Sequence, residues 1–210
     1  IMKKNLLALA FLVGLLTCCK SEDAPIKPVK PTDPGSINKE YMSRAETTFA
    51  NIFKYYWSDK VRMMFGSYPN TLGTPQEPSS PDYDSHAYLW GLGSVVSAFN
   101  AIVQNTDNVD FRMTYESRLK ETLLKYYNTT KEPMCFGCFV NPHDQRLYDD
   151  AIWVGIDLAD LYSKTKDSWY LDYAKSVWNF VLSGKDDELG GGVYWDENAK
   201  DSKNTCSNAP

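Results

Sequence analysis

Asp149 and Asp150 stand side by side in Tyr148-Asp149-Asp150-Ala151-Ile152-Trp153, at the head of an apolar segment. Two adjacent charges leading into a buried segment are costly to desolvate unless something uses them. A pair of carboxylates beside an aromatic surface is the minimum equipment for breaking a glycosidic bond. Neighbouring helix positions point about 100° apart, so two acids at a helix mouth approach a sugar from different sides. Retaining chemistry wants carboxyl groups ~5–5.5 Å apart, which adjacent residues can reach. Helix N-terminal N–H groups favour an ionised acid, and two like charges this close push one pKa up. The pair thus helps to divide its own roles. The competing reading of the same two residues is an N-cap followed by a first-turn acid.

Such a pair needs a rigid frame, and the surrounding pattern is helical. Apolar residues recur at helical period in five segments. Residues 39–57 carry one stripe through Tyr41, Ala45, Phe49, Ile52, Phe53 and Tyr56. Residues 86–104 are apolar on nearly every side. Residues 110–127 carry a stripe of Tyr115, Leu119, Leu123 and Tyr126. Residues 149–163 are again apolar almost all round, and 167–183 are striped by Tyr170, Tyr173, Ala174, Val177, Trp178 and Val181. An all-round apolar helix is buried, and a striped one lies on a surface. The alternation is what a two-layer ring of helical hairpins requires, with inner and outer helices taking turns. An ordinary helical bundle is the alternative. The loops at 64–84 and 133–147 precede the two inner helices, so they gather at one end of the ring. Gly190-Gly191-Gly192-Val193-Tyr194-Trp195-Asp196 joins a flexible turn to two aromatic rings. Long loops clustered on a rigid scaffold usually carry function.

Residues 1–19 read as an export segment. Lys3 and Lys4 supply a positive start, and Leu6–Leu16 is an apolar run shorter than the ~20 residues a membrane span takes. Leu16-Thr17-Cys18-Cys19 resembles a bacterial lipobox, with Cys19 as the lipidated residue and Cys18 as the alternative. An ordinary cleaved secretory signal is the other reading. Lys20-Ser21-Glu22-Asp23 resembles the charged tag of Gram-negative surface lipoproteins. Residues 20–37, with Pro25, Pro28, Pro31 and Pro34, form a semi-rigid spacer. The expectation is an outer-membrane lipoprotein, at the cell surface or in the periplasm, with a globular part over 38–210.

A net charge of −5 without a basic patch argues against nucleic acid. Fourteen tyrosines and six tryptophans supply flat surfaces suited to sugar stacking, although aromatic rings also fill cores. Cys135-Phe136-Gly137-Cys138 is a CxxC pair without the second pair that a structural zinc site wants, so it reads as a local disulfide or free thiols, and no metal is expected. His86 and His143 are too few and too far apart for a metal site or a Ser–His device. Asp157 and Asp160, further along the fourth segment, read as core hydrogen-bonding groups or solvated acids.

Several motifs in order carry a resemblance. The Asp149-Asp150 segment, Tyr162, Tyr170-Leu171, Ala174-Lys175, Gly190 to Trp195, Lys203-Asn204 and Ser207-Asn208-Ala209 together resemble glycoside hydrolase family 76, over about residue 38 to the last. These are bacterial endo-α-1,6-mannanases, with fungal relatives that act as cell-wall transglycosylases. The resemblance implies an (α/α)6 barrel, no cofactor, an α-mannan substrate and retaining hydrolysis. It makes Asp149 the nucleophile and Asp150 the general acid/base. Tyr148, Trp153, Tyr194 and Trp195 become stacking candidates, and Asn204 a hydrogen-bond donor to a mannose hydroxyl.

A full ring takes twelve helices, roughly 350 residues, and the chain stops where the family begins its next inner helix. The expectation is therefore a gene fragment with the first half of the ring, activity belonging to the parent enzyme. A surface lipoprotein that binds glycan without cleaving it, and a cell-wall mannan transglycosylase, are the alternative functions.

Overall fold

The computed structural model describes residues 34–69, 86–140 and 145–210. The export signal with Cys18 and Cys19, the spacer up to residue 33, most of the 64–84 loop, and Pro142 and His143 lie outside these residues. The chain divides into two units, residues 1–38 and 39–210. Of the first, only the start of one helix is described.

Among the described residues, five long helices follow in order: α1 (Pro34–Tyr56), α2 (Leu89–Asn105), α3 (Val109–Tyr126), α4 (Tyr148–Thr165) and α5 (Ser168–Ser183). After a 3-10 turn at Glu188–Gly190, a short helix, α6 (Thr205–Asn208), comes near the end. The all-α expectation holds. The helix α1 begins at Pro34, inside the stretch read as spacer, because proline's fixed φ suits a first helical position. The helix α2 begins at Leu89 rather than His86, because His86 is held extended in a bridge with Phe65. Asn108 caps α3 by accepting from the Phe111 N–H at 3.1 Å. Asp167 caps α5 by accepting from the Trp169 N–H at 2.9 Å. Each cap satisfies a donor that the helix itself leaves open.

Two antiparallel ladders were not legible in the periodicity: β1 (Trp57–Ser58) with β2 (Met63–Met64), and β3 (Tyr127–Asn128) with β4 (Cys135–Phe136). Two residues per strand are too few to show an alternation.

The helix α4 packs chiefly on α5 and α2. Leu92, Val96, Phe99 and Val103 of α2 and Ala151, Val154, Leu158 and Leu161 of α4 are buried. The two helices touch closely at Gly93, where an added Cβ would lie 3.7 Å from Val154 Cγ2. Further along, the Ser97 hydroxyl and the Asn100 amide donate to the Asp157 carboxylate, and the Gln104 amide donates to the Asp160 carbonyl. This register runs parallel: α2 and α4 start at the same end. A second cluster, Phe49, Phe53, Phe99, Phe111 and Tyr115, ties α1 to α2 and α3, with ring centroids 4.6–6.0 Å apart.

The inner helices are not covered all round. Trp90 on α2 is 56% exposed and Trp153 on α4 is 42% exposed. The segments before the two inner helices meet, as the loop placement required. The Leu89 N–H donates to the Cys138 carbonyl at 2.9 Å, the Gly137 N–H donates to the Tyr126 carbonyl at 2.7 Å, and the Tyr126 hydroxyl donates to the Ala87 carbonyl.

Candidate active site

Asp149 and Asp150 occupy the first turn of α4. Leu147 at the N-cap has no side chain that could accept, so other groups satisfy the first donors. The Tyr148 N–H donates to the Trp195 carbonyl at 3.0 Å. The Asp150 N–H donates to Asp149 Oδ1 at 3.0 Å. The N-cap reading of Asp149 does not hold, since Leu147 is the N-cap and both acids lie in the first turn. Negative charge in this turn also complements the helix dipole.

The chain reaches α4 through a clamp. Residues 145–147 run between Cys138 on one side and 195–197 on the other. The Cys138 N–H donates to the Gln145 carbonyl at 3.0 Å, the Glu197 N–H donates to the Arg146 carbonyl at 3.2 Å, and Leu147 bridges Asp196. Arg146 is 0% exposed. Its guanidinium donates through Nε and Nη2 to both carboxylate oxygens of Glu197, and through Nη1 to the carbonyls of Pro133 at 2.6 Å and Lys131 at 3.2 Å. Its planar face lies 4.7 Å from the Phe180 ring centre. Burial works to raise the Glu197 carboxyl, but the hydrogen bonds from Arg146 and Lys131 outweigh it and hold that carboxyl below its ordinary range.

Asp149 and Asp150 are each 8% exposed. Asp150 is pushed up from 3.8 to about 6, first by burial and then by the charge of Asp149, while a hydrogen bond from the Cys138 thiol pulls the other way. Burial first, and then the neighbouring Asp149, raise the Cys206 thiol on α6. Cys135 and Cys138 are free and buried, and burial first of all raises both thiols, so neither is a thiolate nucleophile at neutral pH.

Asp149, itself buried, is in helical line with the exposed Trp153, Ile156 and Asp160 of α4. Trp195 is exposed and adjoins the pair through its carbonyl bond to Tyr148. Asn204 is exposed and opens α6, the helix that brings Cys206 to Asp149. The two tyrosines have other surroundings. Tyr148 is a core residue, its face stacked 4.4 Å from Phe180 and its ring so close to Gly184 that an added Cβ there would lie 2.3 Å from Cζ. That ring has no open face for a sugar. Tyr194 is likewise buried and donates its hydroxyl to Asp186 at 2.8 Å. Lys203 also binds Asp186 and donates to the Glu188 carbonyl at 2.7 Å, which fixes the glycine loop. Asp157 is a buried hydrogen-bond acceptor and Asp160 is exposed.

Arg146, Glu197, Cys138 and Cys206 are the residues that periodicity does not reveal. A loop arginine has no repeat to betray it. Trp90 is a further one: continuing the Gly93–Val154 register back by one turn sets it level with Asp150 on the neighbouring inner helix.

One inner helix of a toroid-like helical fold thus opens with two desolvated acids. Residues 40–210 match the family model described as Glycosyl hydrolase family 76, and the chain belongs to that family. It is similar to a family 76 mannosidase from Bacteroides thetaiotaomicron, at 26% identity and TM-score 0.68, over 80% of this chain and 45% of that one. A family 76 glycoside hydrolase from a bovine Bacteroides thetaiotaomicron strain gives 28% identity and TM-score 0.61, over 80% and 35%. The α-1,6-mannanase from Salegentibacter shares the fold at 20% identity and TM-score 0.58, over 82% and 42%. The chain thus spans less than half the length of these solved relatives. No curated protein sequence matches it.

The raised carboxyl has a consequence for stability. In the folded chain Asp150 keeps its proton up to about pH 6, whereas the unfolded chain releases it near the ordinary 3.8. The folded state binds more protons between these values, so stability falls as pH rises through that window. Asp150→Asn removes this slope. Its urea midpoint should gain on that of the unsubstituted chain between about pH 4 and about pH 7. A difference that is the same at both pH values would contradict the assignment.

Proposed function

We propose that this protein is an endo-acting α-1,6-mannan hydrolase that works with retention. The observation that carries the reading is Asp150, raised to about 6 beside Asp149 at the head of an inner helix of a family 76 fold. Its solved relatives include a mannosidase and an α-1,6-mannanase, and these supply the substrate class.

In this mechanism a carboxylate oxygen of Asp149 attacks C1 of a mannosyl unit. The C1–O6 bond breaks as Asp150 gives its proton to the departing O6. Asp150, now a carboxylate, takes a proton from water, whose oxygen attacks C1 and releases Asp149. Two inversions give net retention. The first step requires a protonated Asp150, so the rate falls as pH rises through about 6. Trp153, Trp195 and Trp90 offer apolar faces around the pair, and Asn204 a side-chain amide for a mannose hydroxyl.

The variants Asp149→Asn and Asp150→Asn, made in the full open reading frame, should lower release of mannose oligosaccharides from α-1,6-mannan, Asp150→Asn by about 10²–10⁴-fold. Undiminished release by either variant would refute the mechanism. Binding of mannan by the unsubstituted protein with no new reducing ends would replace it with a glycan-binding role.

The same proposal places the enzyme on an outer membrane by a lipid on Cys19, from the lipobox-like Leu16-Thr17-Cys18-Cys19. Labelled palmitate should enter the protein and be lost in Cys19→Ala. Undiminished labelling of that variant, together with loss in Cys18→Ala, would move the anchor to Cys18, and no labelling at all would remove it.

A further inference from the structure

Asn208 closes α6 at the surface, and each side-chain hydrogen bond it makes goes to backbone. Its Oδ1 accepts from the Val193 N–H at 2.8 Å, and its Nδ2 donates to the Val193 carbonyl at 2.9 Å. Residues paired across an antiparallel ladder exchange the same two bonds, so the carboxamide stands in for a strand beside Val193. Its Nδ2 also donates to the Asn204 carbonyl at 2.9 Å. The amide fits in one orientation only. An acceptor faces an N–H and donors face two carbonyls, and exchanging oxygen with nitrogen would set like against like at every contact.

The glycine loop leaves room for this side chain. Gly192 has a φ of +82°, and an added Cβ there would lie 2.3 Å from Asn208 Oδ1. Gly191, at φ +90°, would meet nothing within 4 Å. What the carboxamide joins are two parts of the candidate site. Two residues beyond Val193, the Trp195 N–H donates to the Ser202 carbonyl at 3.1 Å and its carbonyl accepts from Tyr148 at the head of α4. Asn204 stands at the N-cap of α6, which packs on α4, and its exposed side chain makes no capping bond although asparagine caps well. Asn208 thus holds the backbone of Asn204 and leaves its side chain out of the helix.

We propose that Asn208 is a positioning residue for glycan binding: by pairing with Val193 and Asn204 at once, it fixes Asn204 on α6 against Trp195 at the head of α4. It touches no sugar itself. The inference deepens the mannan-hydrolase reading and rests on it. The competing view is that the carboxamide only secures the end of a short helix.

Kinetics of α-1,6-mannan hydrolysis in the full open reading frame separate the two. Asn208→Ala should raise KM about tenfold and leave kcat within about twofold. Asn208→Asp is the sharper variant. At about pH 7.5 its carboxylate has no donor and faces two carbonyls, so its KM should be no better than that of the alanine variant. At about pH 4 the carboxyl regains one donor, and its KM relative to the unsubstituted enzyme should recover, while that of alanine should not. Comparison at each pH cancels the titration of Asp149, Asp150, Asp186, Glu188 and Lys203, which both proteins share. Gly192→Ala should raise KM as Asn208→Ala does, and the double variant little further. Gly191→Ala, with similar backbone strain but no contact, should raise it less.

An unchanged KM or a loss confined to kcat in Asn208→Ala would overturn the proposal. So would an aspartate variant that never separates from alanine at low pH, or equal effects at Gly191 and Gly192. Should Asn208→Ala not fold, the comparison of the two glycines decides. An unsubstituted enzyme that hydrolyses no mannan would overturn the mannanase reading and this proposal with it. Hydrolysis with a KM that Asn208→Ala leaves intact overturns this proposal alone.

Discussion

The site depends on one buried ion pair. Arg146, with no exposed surface, donates two charge-assisted hydrogen bonds to Glu197, and its Nη1 reaches the carbonyls of Lys131 and Pro133. Desolvating two charges costs several kcal/mol each, and attraction offsets this only when geometry is good and the other donors are satisfied. The pair is bidentate, and two further guanidinium donors are satisfied by backbone carbonyls. In return, three separate stretches of chain, around residues 131–133, 146 and 197, are pinned at one point. The peptide that leads into α4 then has a fixed path, and the first turn of α4 a fixed position.

What that fixed position holds is itself unfavourable. Two acids share a turn and are nearly withdrawn from water. The helix N-terminus and the Asp150 N–H on Asp149 lessen the cost without abolishing it. The residual cost appears as a carboxyl that keeps its proton up to about 6. Stability given up here is chemistry gained, since a proton held near neutral pH is one that a leaving oxygen can take.

The helices α2 to α5 were legible because their length let a 3.6-residue pattern speak clearly, and because Asn108 and Asp167 are strong caps. The pairing of buried with striped helices followed from the same pattern. The direction of a single ring was not legible. Tyr148 adjoins the acids in sequence, yet its side chain turns inward onto Phe180, because adjacent helix positions face different ways. Tyr194 is drawn down by Asp186 in the same manner. Arg146 was hidden because a loop residue has no periodicity, and its partner lies 51 positions away. The spacing of Cys135 and Cys138 left a local disulfide and free thiols both open, and the two thiols are free and buried.

The central claim is that the two acids, held together, divide attack and proton donation between them. Covalent trapping tests it most directly. A ring-fluorinated α-1,6-mannobiosyl fluoride, incubated with the full-length enzyme and followed by peptide mass spectrometry, should leave one glycosyl adduct, on Asp149, with Asp150 unlabelled. An adduct on Asp150, or products of inverted configuration with no adduct on either acid, would contradict the account.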